Sequence, residues 1–448
     1  MPKSLEKILN KIVKYGLYAI LMTPLVFWPR ALYAFGTPKF ILFQILVEIV
    51  FGAWLIIKII DFRNRGIFDF ENQLFLRKNY IALALVGFFA VSVISAFFGV
   101  DFQRSIWGIG ARMTGLFSEL HFLAWFLVLI SFSKSNFRSP TSVALAKDVG
   151  LQESKLDFDI VKYLNFSFAI SILVALTAFY QNAQWHLAPG HTIFSNPTFV
   201  APYFLFHFFW GLYKSIGFRN LSRIYFLGGS ILIAVALILG QVRGAAIGFL
   251  AGLLVIGVFL IFSDILAKKR YKIFVAALML ATILSAAAIF IFKDSEFVRN
   301  SAYLKRFGEI SLSATTAQTR ILTWQSALKD ISLLGVGPEN FNYLFNANYN
   351  PRLLIYGGNS FAETWQDKPH NAFIEVLAET GIIGALAYAL IWFYIVYYLF
   401  KMFKKGDKFL TLSLAAGFIA YLGAVFFSFD SFGSWFGLYL FLALLILS

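Results

Sequence analysis

The chain has 448 residues, 59% of them hydrophobic and only 14% charged, with 54 phenylalanines and no cysteine. Soluble domains carry roughly 25% charged residues, so this composition excludes a string of soluble domains. The lack of cysteine excludes a disulfide framework, a thiolate nucleophile and a Cys-ligated metal. A formal net charge of +15 invites a nucleic-acid reading, but the basic residues stand in short clusters between apolar runs. That pattern orients a membrane protein and speaks against a nucleic-acid partner.

Apolar runs long enough to cross a ~30 Å hydrocarbon core recur throughout. They predict an all-α integral membrane protein, a single polytopic domain over 1–448 with about twelve transmembrane helices. The spans fall near 16–35, 39–58, 80–99, 116–132, 163–181, 199–216, 224–241, 243–263, 272–292, 371–400, 409–427 and 433–448. The first run continues the multi-span pattern and has no small-residue cleavage site, so it does not read as a cleavable signal. With the amino terminus cytoplasmic, about 25 of the 38 Lys and Arg residues fall on that side, in clusters such as Lys268/Lys269/Arg270/Lys272. The positive-inside rule therefore sets this orientation.

Two connections are long. Residues 133–162 are polar and of mixed charge, and read as a cytoplasmic linker. Residues 293–370 fall on the extracytoplasmic side and exceed what a connection needs, which marks a functional loop. That loop is rich in Trp, Tyr, Phe, Asn and Gly, and Thr319 to Asp330 reads as an amphipathic helix within it. A glycine turn, Leu334-Gly335-Val336-Gly337-Pro338-Glu339-Asn340-Phe341, follows.

Three stretches offer chemistry. In Gln241-Val242-Arg243-Gly244-Ala245, between the seventh and eighth spans, Arg243 serves either as a helix-end anchor or as a phosphate ligand with a fixed charge and a forked donor set. Gly244 lets a backbone or a bulky ligand approach closely. In the loop helix, Arg320 faces either solvent or a ligand, and Trp324 follows one turn later. In Lys368-Pro369-His370-Asn371-Ala372-Phe373-Ile374-Glu375-Val376-Leu377-Ala378-Glu379-Thr380-Gly381, a histidine stands where the loop enters the tenth span. It is either a polar interfacial residue or a base able to take a proton from a hydroxyl. Asn371 can cap the helix, and Glu375 and Glu379 share one face.

Taken together, these stretches resemble the O-antigen ligase superfamily, which also holds O-antigen polymerases and protein O-oligosaccharyltransferases. The ordered pattern is Arg-Gly at the start of a span, Arg-x-x-x-Trp, Gly-x-Gly-x-x-x-Phe, then His-Asn-x-x-x-Glu-x-x-x-x-x-Gly-x-x-Gly. Weaker echoes lie upstream in Gly108-Ile109-Gly110-Ala111-Arg112-Met113-Thr114-Gly115-Leu116 and Phe194-Ser195-Asn196-Pro197-Thr198-Phe199-Val200-Ala201, so the resemblance covers roughly 100–435.

The resemblance implies transfer of a glycan from a polyprenyl-diphosphate-linked donor such as undecaprenyl diphosphate to a lipid or protein acceptor. It implies no metal and no other cofactor, and inversion at the anomeric centre. The place would be the extracytoplasmic face of a bacterial cytoplasmic (inner) membrane. It also implies roles for residues: His370 as general base, and Arg243 and Arg320, helped by Arg112, as ligands of the diphosphate. Gly244, Asn371, Glu375 and Trp324 would support them or face the acceptor.

Other residues keep two readings. His186 and His191 stand five apart in one loop, the closest approach to a metal pair among the five histidines. Glu119, Glu339, Glu363, Asp367, Glu375 and Asp430 could orient His370 or bind sugar. Glu48, near the middle of the second span, is costly unless it is protonated or faces the interior and pairs with an arginine. Tyr343, Tyr349, Tyr356 and Trp365 either pack or stack on sugar rings. A ligase, a polymerase that uses a second lipid-linked glycan as acceptor, and a lipid-glycan transporter are the three functions compatible with these features. A transporter would carry its polar groups near the midplane, whereas here they gather at the mouth and in the long loop.

Overall fold

The computed structural model describes residues 3–65, 79–133, 159–185, 191–217, 221–263, 268–311, 314–357 and 364–448. Most of the linker expected at 133–162 lies outside them, as do His186 and Glu363. In chain order the helices are α1 (Lys3–Ile20), α2 (Thr37–Arg65), α3 (Tyr80–Phe98), α4 (Phe102–Trp107), α5 (Leu116–Phe132) and α6 (Ile160–Trp185). Then come α7 (Pro197–Gly217), α8 (Leu221–Leu239), α9 (Arg243–Phe262) and α10 (Lys269–Ile291). Five short helices follow: α11 (Glu296–Asn300), α12 (Ala302–Gly308), α13 (Thr315–Ala327), α14 (Phe341–Ala347) and α15 (Leu353–Gly357). The chain closes with α16 (Ala372–Lys405), α17 (Lys408–Phe426) and α18 (Phe432–Leu447).

The protein is an all-α, multi-span membrane protein. Among the described residues, α2, α3, α6, α8, α9, α10, α16 and α17 are long and apolar enough to cross a bilayer. Among the described residues α5 and α18 are shorter and apolar, and α1 and α7, of 18 and 21 residues, are the remaining helices of similar length. One span differs from expectation. The helix expected at 16–35 is α1, which ends at Ile20 and is followed by a 3-10 turn at Thr23–Leu25. Pro24 and Pro29 cannot donate to a helical ladder, and the apolar stripe of Leu9, Val13, Leu17 and Ile20 seats α1 instead along α2.

The core centres on α18, whose residues are almost all buried, Phe432 through Leu445 most densely. It packs between α5 and α7, and its rings interlock with theirs: Phe122 stacks on Tyr439 at 5.7 Å, and Phe206 on Phe441 at 5.0 Å. By contrast α10 buries no residue. An apolar helix with no buried face is stable in a lipid solvent and not in water.

The pair α9–α17 is drawn together by a small-residue stripe. Side chains built at Gly244, Gly248 and Gly252 would meet Gly423, Ala420 and Ala416 of α17. Gly244 is thus small because a neighbouring helix crosses there, the close packing that small residues permit in membranes. Glu48 is 59% exposed and its partner is His121, Nε2 to Oε1 at 3.1 Å. Of the two readings of Glu48, the arginine pairing inside the bundle is therefore corrected: the glutamate is exposed and the buried His121 supplies the contact.

The expected tenth span is also interrupted. Gly381 has φ 68° and breaks α16, leaving residues 372–380 as a separate arm. The break exposes backbone groups that must find partners, and the glycine turn supplies them. Val336 and Gly337 donate to the carbonyls of Ala378 and Glu379 at 3.2 and 2.8 Å, and Ile382 and Ile383 donate to Ser332 and Leu333, both at 3.1 Å. Gly335, at φ 72°, lies so close to Gly381 that a side chain on either would strike the other's backbone.

Gly335→Ala and Gly381→Ala should each destabilise the protein by more than about 1 kcal/mol, read as a lowered Tm in detergent. Gly87→Ala, where nothing stands within 4 Å, should leave Tm unchanged or raise it.

Candidate active site

The approach to α16 is fastened residue by residue. Asp367 pairs with Arg112 at 2.8 Å. The Lys368 ammonium, 3% exposed, reaches Glu339 at 2.7 Å, Glu375 at 2.5 Å and Glu379 at 3.3 Å. The carbonyl of Pro369 accepts a hydrogen bond from Trp324 Nε1 at 2.8 Å. Asn371 caps the arm by accepting from the N–H groups of Phe373 and Ile374. His370 sits between these anchors with φ 53°, a conformation uncommon for a non-glycine residue and sustained only by its surroundings.

Lys368 joins three elements. Glu339 belongs to the glycine turn and Glu375 and Glu379 to the arm of α16, while the Thr114 hydroxyl donates to Glu339 at 2.8 Å. Arg104 Nε donates to the Glu339 carbonyl at 2.7 Å. Burial disfavours the Lys368 ammonium, but the three carboxylates outweigh it and hold the amine well above its usual range. Burial likewise works to raise Glu339, and the Lys368 charge, with the Thr114 hydroxyl and Arg112, overrides it and keeps the carboxyl below its usual range. Sequence reading passed over Lys368. Its signal was a lysine placed before two glutamates one turn apart.

The His370 ring meets Phe429 edge-on, with centroids 5.3 Å apart. Its Nδ1 is 3.3 Å from the Lys368 carbonyl. A carbonyl only accepts, so in this contact Nδ1 is the donor.

His370, Arg320, Thr316, Thr319 and Thr323 line one small cavity. Arg320 and Thr316 also line a larger one of ≈770 Å³, together with Arg243, Lys305, Arg306, His191 and Asn196. The structure thus brings Arg243, Arg320 and His370, far apart in sequence, to two adjoining cavities. Arg243 is held by the Arg306 carbonyl (Nε, 2.9 Å), the Thr316 hydroxyl (3.3 Å) and Glu309 (3.5 Å). The helix expected from Thr319 to Asp330 is α13, and it starts earlier, so that Thr316 falls on it. Lys305, Arg306 and Glu309 were not anticipated, since they lie where the loop offered no motif. His191 is pushed below its usual range by burial.

Arg112 is placed differently from expectation. It lines a separate cavity, and its guanidinium lies 4.6 Å from the Phe429 ring, with Asp367 as its ion pair. Trp324 braces the His370 loop and lies edge-on to Phe426. Of the acidic candidates, Asp430 is pushed up by burial against the opposing hydrogen bond from the Tyr421 hydroxyl. Glu119, Glu339, Glu375 and Asp430 line a cavity inside the bundle.

Comparison with known proteins agrees with the motifs. Residues 228–389 match the family model described as O-Antigen ligase. That stretch holds the Arg-Gly, Arg-x-x-x-Trp, Gly-x-Gly and His-Asn motifs, while Arg112 and the segment 194–201 lie outside it. The chain is also 24% identical over 275 residues to the teichuronic acid biosynthesis protein TuaE of Bacillus subtilis (strain 168). That alignment covers 56% of this chain and 53% of the relative, so the chain spans about half the length of the relative it matches.

Removing one partner of a buried ion cluster strands the others' charge, at a cost of about 3–5 kcal/mol. Lys368→Met should therefore lower Tm substantially, whereas Lys329→Met, at an exposed position of the same loop, should not. Equal effects of the two would contradict the anchoring role.

Proposed function

We propose that this chain, which carries the O-antigen ligase domain over residues 228–389, is a membrane glycosyltransferase that moves a glycan from a polyprenyl diphosphate to an acceptor hydroxyl. One observation carries the reading. Gly244, Arg306 and Glu309 line the cationic cavity that holds Arg243 and Arg320, and the next residues in the chain, Ala245, Phe307 and Ile310, line an apolar groove of ≈350 Å³. A diphosphate with a long hydrocarbon tail needs this pairing of fixed positive charge with a lipid-like slot. A free nucleotide sugar has no use for the slot.

In this reading Arg243 and Arg320 hold the diphosphate, arginine being suited to phosphate because it binds through a fork and stays charged in a poorly hydrated site. His370 Nε2 accepts the proton of the acceptor hydroxyl as its oxygen attacks the anomeric carbon. The bond from that carbon to the diphosphate oxygen breaks, and the electron pair leaves on the diphosphate, whose charge the arginines stabilise. Attack opposite the leaving group inverts the anomeric centre. No metal enters the step. The polymerase reading, in which a second lipid-linked glycan is the acceptor, is favoured by one fact: the relative is named for biosynthesis of teichuronic acid.

Purified protein in nanodiscs, given polyprenyl-diphosphate glycan, EDTA and a panel of acceptors, should transfer glycan. His370→Ala should lower kcat roughly 10²–10⁴-fold, and Arg243→Ala should also abolish most transfer. Wild-type rates in both folded variants would discard the site. The bacterial cytoplasmic membrane is the proposed location, with the amino terminus cytoplasmic and the site outside. Because the chain has no cysteine, single Lys329→Cys and Lys269→Cys variants read orientation directly. An impermeant maleimide should label the first in intact cells and the second only after lysis; the reverse pattern would invert the topology.

A further inference from the structure

The small cavity that holds His370 lies between two walls. One is α13, which contributes Thr316, Thr319, Arg320 and Thr323, and the other is the approach to α16, with Gln366, Pro369 and His370. Thr316, Thr319 and Thr323 recur at intervals of three and four residues, so their side chains share one helix face over about 10 Å. At its start this row meets the larger cationic cavity, where the Thr316 hydroxyl accepts from Arg243 Nη1 at 3.3 Å. Arg320 lines both cavities.

The protons of the other two hydroxyls are committed within the helix. Thr319 Oγ1 donates to the Thr316 carbonyl at 3.2 Å, and Thr323 Oγ1 donates to the Thr319 carbonyl at 2.8 Å. A carbonyl only accepts, so each hydroxyl is left an acceptor toward anything else it meets. Thr323 is 2% exposed, and a buried acceptor on a cavity favours a ligand that brings it a hydrogen.

We infer that Thr319 and Thr323 recognise the C2 side of the transferred sugar, by accepting hydrogen bonds from the O–H or N–H group that it carries there. The inference rests on the reading that Arg243 and Arg320 hold the donor diphosphate and that His370 is the base. In that reading the anomeric carbon stands between the arginines and His370, which is where this cavity lies. Two groups flank an anomeric carbon, the ring oxygen and the carbon C2. The ring oxygen has no hydrogen to offer an acceptor, whereas a hydroxyl or acetamido group on C2 has one. The row of acceptors therefore draws the C2 edge of the ring to α13 and turns the ring oxygen away. Hydrogen bonds at C2 strengthen as positive charge develops on a sugar ring. Thr319 and Thr323 thus act as specificity-determining residues, setting which sugar is taken and how it faces the base.

Equilibrium binding to the full chain in nanodiscs, without acceptor, tests this with three probes: polyprenyl diphosphate, its glucosyl form and its 2-deoxyglucosyl form. Wild type should bind the glucosyl probe about threefold to tenfold more tightly than the 2-deoxy probe, the worth of one hydrogen bond. The Thr319→Val/Thr323→Val double variant should lose that preference, and the Thr319→Ser/Thr323→Ser variant should keep it. Both should hold polyprenyl diphosphate itself as wild type does, which shows that they are folded. Thr319→Val alone, at the less buried of the two positions, should weaken the preference by about twofold or more, and it decides the matter if the double valine variant does not fold. Equal affinity of wild type for the two sugar probes, or a preference that survives in the valine variants, overturns this inference alone. Binding of polyprenyl diphosphate undiminished by Arg243→Ala overturns the donor reading, and this inference with it.

Discussion

A single buried ammonium organises the candidate site. Lys368 carries its charge into the interior, where it is stable only if opposite charges meet it, and the glutamates that do so come from two separate elements, the glycine turn and the arm of α16. Satisfying that charge fixes the turn against the arm and sets the path of the backbone two residues before His370. The break at Gly381 follows from the same constraint. Only a bent helix offers the turn its free carbonyls while keeping Glu375 and Glu379 on the lysine. The left-handed backbone of His370, an expense no isolated loop would sustain, is held by anchors on both sides.

The glycine motifs take on physical meaning in this light. Gly335 and Gly381 lie face to face where neither can bear a side chain, and Gly244 opens a stripe on which α9 and α17 touch. These residues shape the scaffold, and the charged residues beside them face the cavities. Arg243 is drawn to the loop by Thr316, Glu309 and the Arg306 carbonyl. The long loop thus closes over the start of α9 and brings His370 and Arg320 beside it.

Much of this was legible in the sequence. Long apolar runs fix the number of helices because bilayer thickness fixes their length, and eleven of the expected spans correspond to helices of the structure. The first misled because apolar composition alone does not register Pro24 and Pro29 as breaks. That Arg243, Arg320 and His370 belong to one region was readable from motifs, each standing where a loop meets a helix or on the loop helix itself. Lys368 and Arg306 were not, since a lysine in a loop has the same local pattern whether it is solvated or buried. What decides is which carboxylates the fold brings to it, and those come from up to 29 residues away. The role of Arg112 was similarly hidden. Its partner Asp367 lies 255 residues along the chain, beyond the reach of any spacing argument.

The central claim is that His370 and the two arginines serve one substrate. The most direct measurement is a cryo-EM structure of the protein in nanodiscs with polyprenyl diphosphate added. The account predicts diphosphate density within ion-pair distance, about 4 Å, of both Arg243 and Arg320, with the sugar-bearing end toward His370 Nε2. A diphosphate bound at another cavity, or one contacting neither arginine, would contradict it.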